Sequence, residues 1–284
     1  MAATQEKFRK NRALRFYNEV LGLDRLHYGL WNNSDTRNID GLIQAQLRYE
    51  EFLSDEIDLL FPENSAARIL DVGCGTGAMS EALYKKKINV EGLSPDLYQK
   101  ELFEKRIPVP FHLARYQTFF AEKVYDLILM SESAQYIPLK SLFTKTNELL
   151  KDQGYLMVCD YFVLDQANGK MAKSGHRLSA FMEEANKNNY ELVKEVDITV
   201  AVLPTLDTAK IFTEKYVLPT IDIIEEKFRE RRPFIFKTLK WILRKKIAKA
   251  QEDMILIDSA EFRRNKKYLF FLFRRRTIGY NNFS

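Results

Sequence analysis

Arg68 to Gly77 reads R-I-L-D-V-G-C-G-T-G. Ile69, Leu70 and Val72 form a short apolar run, the pattern of a parallel strand buried on both faces. Gly73, Gly75 and Gly77 follow at every second position. Glycine tolerates positive φ and lacks a Cβ, so a ligand can press against the backbone there. From Ala78 to Lys85 the sequence reads as a helix with Met79, Ala82 and Leu83 on one side. A strand, a glycine-rich turn and a helix N-terminus together make a cradle of the nucleotide-binding type. The dinucleotide fingerprint is G-x-G-x-x-G. Here the spacing is D-x-G-x-G-x-G, and a carboxylate at Asp71 favours a cationic ligand over a pyrophosphate.

The ILDVGCGTG string closely resembles the first motif of class I S-adenosylmethionine-dependent methyltransferases. The resemblance extends over roughly Leu14 to Phe162 and the last strand. It implies an α/β, Rossmann-like, seven-stranded and mostly parallel sheet with helices on both faces and one antiparallel strand near the C-terminus. It also implies S-adenosylmethionine as cofactor, held by Asp71, Gly73, Gly75 and Gly77.

The remaining site residues follow from the same resemblance. Ile88 to Leu93 reads as the next strand, and the family's ribose-binding acid would fall at Ser94. Asp96, two residues on, could take over that contact or act as a helix N-terminal acid after Pro95. After a strand at Pro110 to Leu113, Arg115 stands where relatives carry an adenine-binding Asp. Arginine cannot accept that hydrogen bond, which leaves Gln117 or backbone groups to read the base, with Tyr116 along it. Val124 to Met130 is a fourth strand running into S-E-S-A-Q-Y-I-P, Ser131 to Pro138, which is similar to a family segment near the transferred methyl. Ser131 and Tyr136 are read as cofactor contacts. Glu132 is the candidate base, with helix capping as the competing role. R-L-H-Y-G-L-W, Arg25 to Trp31, resembles the H-x-G-x-W lid of methyltransferases acting on tocopherols, isoprenoids and polyketide-like natural products. His27 and Tyr28 are either candidate active-site groups from that lid or part of an N-terminal segment packed by its aromatics. Trp31 is read as a packing residue.

Around this core, Gln5 to Gly22 reads as an amphipathic helix with Phe8, Arg12, Phe16 and Val20 at helical spacing. Leu42 to Leu60 reads as a second, with Leu47, Phe52, Ile57 and Leu60 inward, ended by Pro62-Glu63-Asn64. Asn147 to Phe162 matches the family's helix, turn and fifth strand. Leu178 to Asn188 reads as a helix, Tyr190 to Val200 as a sixth strand and Tyr268 to Phe273 as the last. The division expected is an N-terminal helical lid at 1–60, a methyltransferase core at 61–202, a helical cap inserted at 203–262, and the last strand and tail at 263–284.

Composition is globular, with 46% hydrophobic and 29% charged residues and a net charge of +5. Twenty Phe and fourteen Tyr lean toward an apolar or aromatic substrate. The two cysteines, Cys74 and Cys159, sit in apolar strands and suit a reducing compartment without disulfides or zinc. No metal site is implied, since carboxylates and histidines do not cluster at ligand spacings. With no signal-peptide pattern and no apolar run of membrane-spanning length, a soluble cytoplasmic protein is expected. From Lys227 to Lys249 there are ten Lys or Arg against one Glu, interleaved with aromatic and aliphatic residues. That stretch is either a solvated helix face or a surface for an anionic membrane, a carrier protein or an acidic substrate. No nucleic-acid motif accompanies it. The expected function is methyl transfer to the O, N or C atom of a small molecule. Another reaction on the same cofactor, such as a cyclase or aminopropyl-type transfer, and a non-catalytic cofactor-binding protein are the alternatives.

Overall fold

The structure, a computed structural model, describes residues 12–62, 66–122 and 124–276, excepting the side chains at 12, 13, 235, 239, 243, 246, 250 and 251. Eight strands form one sheet: β1 (Arg68–Val72), β2 (Asn89–Ser94), β3 (Phe111–Leu113), β4 (Tyr125–Ser131), β5 (Leu150–Val163), β6 (His176–Arg177), β7 (Tyr190–Asp197) and β8 (Lys266–Arg275). Their order is β3-β2-β1-β4-β5-β8-β7, with β6 added to β5. β8 runs antiparallel to both β5 and β7, and the other pairings are parallel. The count exceeds the expected seven by β6, whose two residues are too few to show a periodicity.

The pleat divides the core. Leu70, Val72, Ile128, Phe271 and Phe273 pack with Phe143 and Phe181 on one side of the sheet. Ile69, Leu127, Leu129, Phe270 and Leu272 pack with Tyr49, Leu53 and Ile57 on the other. This alternation is the period of two that a strand imposes, and it explains why strands buried on both faces read as unbroken apolar runs. β1 pairs with β2 on one side and β4 on the other, so the winding direction reverses there. Ligands bind such sheets in the crevice outside the carboxyl ends of the strands at that switch point.

Several expected elements shift. The second helix runs Ile39–Leu60, three residues earlier than expected, because the Asn38 side chain accepts a hydrogen bond from Gly41 N and caps it. Its inward residues are Ala45, Tyr49, Leu53 and Ile57. Leu47, expected inward, is exposed because it lies two residues from Ala45 and Tyr49 and so across the helix. Phe52 and Leu60 pack at the margin of the core. The first helix is described from Arg12 only, as Arg12–Arg15 and a wider turn at Phe16–Val20. Phe16 and Val20, expected on an apolar face, are 47% and 66% exposed. Phe8, Glu63 and Asn64 lie outside the described residues.

β7 stops at Asp197, short of Val200, because Asp197 Oδ1 accepts from Thr199 N at 3.0 Å and starts a helix. Helical structure then continues through Thr199–Phe212, Thr213–Val217, Leu218–Arg231, Pro233–Asp253, Met254–Ile257 and Ser259–Asn265 before returning to β8. The segment between β7 and β8 is therefore helical from Thr199 to Asn265.

Candidate active site

A cleft of about 540 Å³ opens at the carboxyl ends of β1, β2 and β4. Asp71, Gly73 and Gly75 line it, as do Ser94, Asp96, Tyr116, Gln117, Ser131, Glu132 and Tyr136. The turn after β1 is wound left-handed, with Gly75 at φ +57°. A Cβ built on Gly75 meets nothing within 4 Å, so the backbone there faces open space in the cleft. Gly77 differs. It is the N-cap of the Ala78–Lys85 helix, and a Cβ there would lie 2.7 Å from the Phe103 ring. Gly77 is needed for close helix packing and does not line the cleft.

Asp71 is buried, and its Oδ2 accepts from Ser80 Oγ at 2.6 Å. Burial pushes its carboxyl up to about 6, so it is mostly ionised at neutral pH. Ser94 donates to Gln99 Oε1 at 2.5 Å. Asp96 accepts from Tyr98 N and Gln99 N and caps the Leu97–Arg106 helix, so the capping role holds while the residue still borders the cleft. Tyr116 borders it too, but its hydroxyl is committed to Thr146 Oγ1 at 2.8 Å within the core. Arg115 stands exposed at the rim.

Glu132 sits just past β4 with φ +53°, an unusual backbone for a residue with a Cβ. Its Oε1 accepts from Tyr28 N at 2.6 Å and from the Tyr268 hydroxyl at 2.6 Å. It caps no helix, and among the described residues no donor binds Oε2. Behind it, the Tyr268 hydroxyl lies 3.1 Å from that of Tyr49, which lies 3.0 Å from Ser131 Oγ. Burial raises the Glu132 pKa, opposed by the charge of His27 and the two donors. A carboxyl held by two strong donors, yet with one oxygen unclaimed, can take a proton or orient a donor group.

His27 places Nδ1 2.7 Å from Tyr28 O and Nε2 3.2 Å from Glu50 Oε1. Both partners are acceptors, so both contacts are satisfied only when both ring nitrogens carry protons. Burial disfavours that charge, but the Glu50 hydrogen bond and the carboxylates of Glu50 and Glu132 outweigh it and raise the pKa. His27 is stacked on Tyr49 at 4.6 Å, and these partners favour its protonated form, which can donate or stabilise charge. Tyr28 contributes its backbone N–H to Glu132, and its ring packs on Tyr268 and Phe262.

A second cavity of about 840 Å³ adjoins the first. Arg25, Leu26, His27 and Tyr136 border both, and Tyr28 borders the second. Leu206, Phe212, Leu256 and Ile257 give it apolar walls from the helical cap. The lid segment is pinned across it: Gly29 N and Trp31 Nε1 both donate to Thr205 Oγ1, at 3.1 and 2.9 Å, and Trp31 is buried as expected.

The sequence reading missed Glu50, Arg25, Tyr49 and Tyr268. Arg25 Nε reaches Glu50 Oε1 at 2.9 Å, so Glu50 holds both Arg25 and His27. Tyr268 did carry a signal: it is the one polar head in Y-L-F-F-L-F.

Asp160 on β5 was also missed. It is buried, accepting from Gln135 N and Tyr161 N at 3.1 and 2.8 Å. Burial, and then the charge of Glu132, push its carboxyl up to about 8. A folded-state pKa above the unfolded value of about 3.9 gives stability that is present at low pH and lost as pH rises through 8. Asp160→Asn removes that dependence. The melting temperature of the variant relative to wild type is expected to rise steadily between pH 5 and pH 8.5; a difference independent of pH would show that Asp160 is ionised throughout.

Among the described residues no group of His, Cys, Asp and Glu converges as a metal site, and no helix is long and apolar enough to cross a membrane. Residues 44–194 match a family described as a methyltransferase domain. No curated protein sequence matches significantly. Among solved structures, the chain is similar to a protein from Galdieria sulphuraria proposed to be a sarcosine dimethylglycine methyltransferase, at 16% identity and TM-score 0.69, over 94% of this chain and 99% of that one. It is similar to geranyl diphosphate C-methyltransferase from Streptomyces coelicolor A3(2), at 17% identity and TM-score 0.64, over 92% and 96%. The [4+2]-cyclase SpnF matches at 15% identity and TM-score 0.64, over 93% of each chain.

Proposed function

We propose, for a chain that belongs to the methyltransferase-domain family, that it transfers the methyl group of S-adenosylmethionine to a small, apolar or aromatic molecule held in the second cavity. The cofactor fits the first cleft, because Gly75 leaves its backbone open where any Cβ would intrude and Asp71 supplies negative charge beneath it. Asp71, Gly73 and Gly75 would hold it with Ser94, Asp96, Gln117 and Ser131, and Tyr116 and Tyr136 at its borders. When bound, it supplies an electrophilic methyl on a sulfonium.

The observation that carries the reading is Glu132 in the first cavity, hydrogen-bonded to a residue that lines the second. Its Oε1 is held by the backbone of Tyr28. Glu132 takes or orients the proton of the acceptor atom. Glu50 and Glu132 both favour the protonated form of His27. Tyr28, Tyr49 and Tyr268 fix its position, so catalysis rests mainly on placement and exclusion of water. Residues 1–60 act as the lid and 203–262 as the cap. Natural-product methylation in the cytoplasm is the setting that suits this reading. The basic 227–249 stretch serves an anionic partner.

The test is product mass. Incubation with candidate acceptors should add the mass of one CH₂, about 14 Da, and release S-adenosylhomocysteine. An isomerised product with the cofactor intact would instead support a cyclase. Loss of the aminopropyl arm would support that transfer, and cofactor binding without any turnover a non-catalytic role.

A further inference from the structure

We propose that the helical hairpin Leu218–Asp253 docks on an anionic lipid bilayer and that the second cavity is filled from it, so that the acceptor is a bilayer-dissolved amphiphile. This rests on the methyltransferase reading of the two cavities and adds the source of the substrate. The hairpin is the part of the chain with most to explain. On Leu218–Arg231, Ile221, Ile224 and Phe228 recur at helical spacing and stand about half exposed. On Pro233–Asp253, Phe234 is 84% and Trp241 64% exposed. A soluble domain rarely leaves so many large apolar side chains together in water.

Charge completes the pattern. Phe234 and Trp241 lie seven residues apart and so share one line along their helix. Lys237 and Arg244 flank that line on one side, Lys245 and Lys249 on the other, and all four are exposed. Aromatic anchors bordered by Lys and Arg are the composition of a helix lying in the headgroup region, where cations reach lipid phosphates and rings reach the acyl boundary. A nucleic acid would use the cations and leave the apolar rows unexplained.

The connection to the cavity is direct. Phe212 and Val217 line it at the entry to the hairpin, and Leu256 and Ile257 line it at the exit. A hairpin lying on a bilayer therefore sets the mouth of the cavity beside the acyl region. Among the described residues no helix is able to span the membrane, so the attachment is peripheral.

The two tryptophans make the test specific, since Trp31 is buried and Trp241 exposed. The full chain is mixed with vesicles of phosphatidylcholine alone, or with phosphatidylglycerol added. Co-sedimentation and a blue shift of Trp241 emission are expected only with phosphatidylglycerol. Reversing Lys237, Arg244, Lys245 and Lys249 to Glu should lower partitioning at least about tenfold, given the attraction of each cation to an anionic surface. Trp241→Phe should abolish the shift while sedimentation persists. A diazirine fatty acid in the vesicles should cross-link to cavity residues such as Phe212 or Leu256 in wild type and not in the charge-reversed variant. Binding indifferent to lipid charge, or cross-links confined to the hairpin surface, would overturn the proposal. Titration of S-adenosylmethionine into the charge-reversed variant separates the two readings: intact affinity leaves the methyltransferase site standing whatever the vesicles show, and failure of wild type to bind the cofactor counts against that site alone.

Discussion

Glu132→Gln slows the chemical step about a hundredfold or more, the usual scale for loss of a positioned general base. The substitution is chosen for its shape. The Gln amide oxygen still accepts from Tyr28 N and the Tyr268 hydroxyl, which lie 2.6 Å from Oε1, so the lid stays anchored. What disappears is the carboxylate oxygen that no protein donor claims. The substitution also removes one of the two carboxylates that raise the His27 pKa, leaving Glu50. Single-turnover rate, cofactor affinity and melting temperature on the same variant check the assignment. The expected pattern is a large loss of rate with affinity and melting temperature nearly unchanged. A normal rate with a lowered melting temperature would make Glu132 a structural anchor of the lid.

Gly75→Val lowers S-adenosylmethionine affinity at least about a hundredfold. Two effects combine. Gly75 adopts φ +57°, a conformation that a β-branched residue occupies only under strain. A Cβ there also projects into the space where a cofactor would lie, since nothing of the protein comes within 4 Å. Because that space is empty of protein, the fold tolerates the bulk better than at Gly77, where Phe103 blocks it. Calorimetry and thermal melting on Gly75→Val and Gly75→Ala distinguish the contributions. Ala should retain partial affinity and Val almost none. Equal affinity in wild type and Val would place the cofactor elsewhere.

The cofactor cleft was legible because its determinants are local. Strand, turn and helix between Arg68 and Lys85 are consecutive, so apolar run, glycine spacing and helical period all appear in one short stretch. Glu132 was legible for a similar reason, as a carboxylate directly after a buried strand. The groups that hold Glu132 were not. Tyr268 is 136 residues away and meets it only because β8 inserts antiparallel beside β5. Glu50 sits on a helix whose apolar face already accounts for its neighbours Tyr49 and Leu53, so nothing in the spacing marks a charged residue as buried. His27 stands out in the sequence, but the contact that raises its pKa comes from Glu50, a partner 23 positions along the chain. Gly77 misled in the other direction: its spacing matches the motif, yet its work is to admit Phe103.

Asp71 in the cleft above β1 suits a sulfonium-bearing nucleoside and disfavours a pyrophosphate. Side-by-side calorimetric titration of the unmodified protein with S-adenosylmethionine and with NAD tests that preference most directly. The account predicts saturable one-to-one binding of S-adenosylmethionine, competed by S-adenosylhomocysteine, and no binding of NAD. Binding of NAD without S-adenosylmethionine, or of neither, would contradict it.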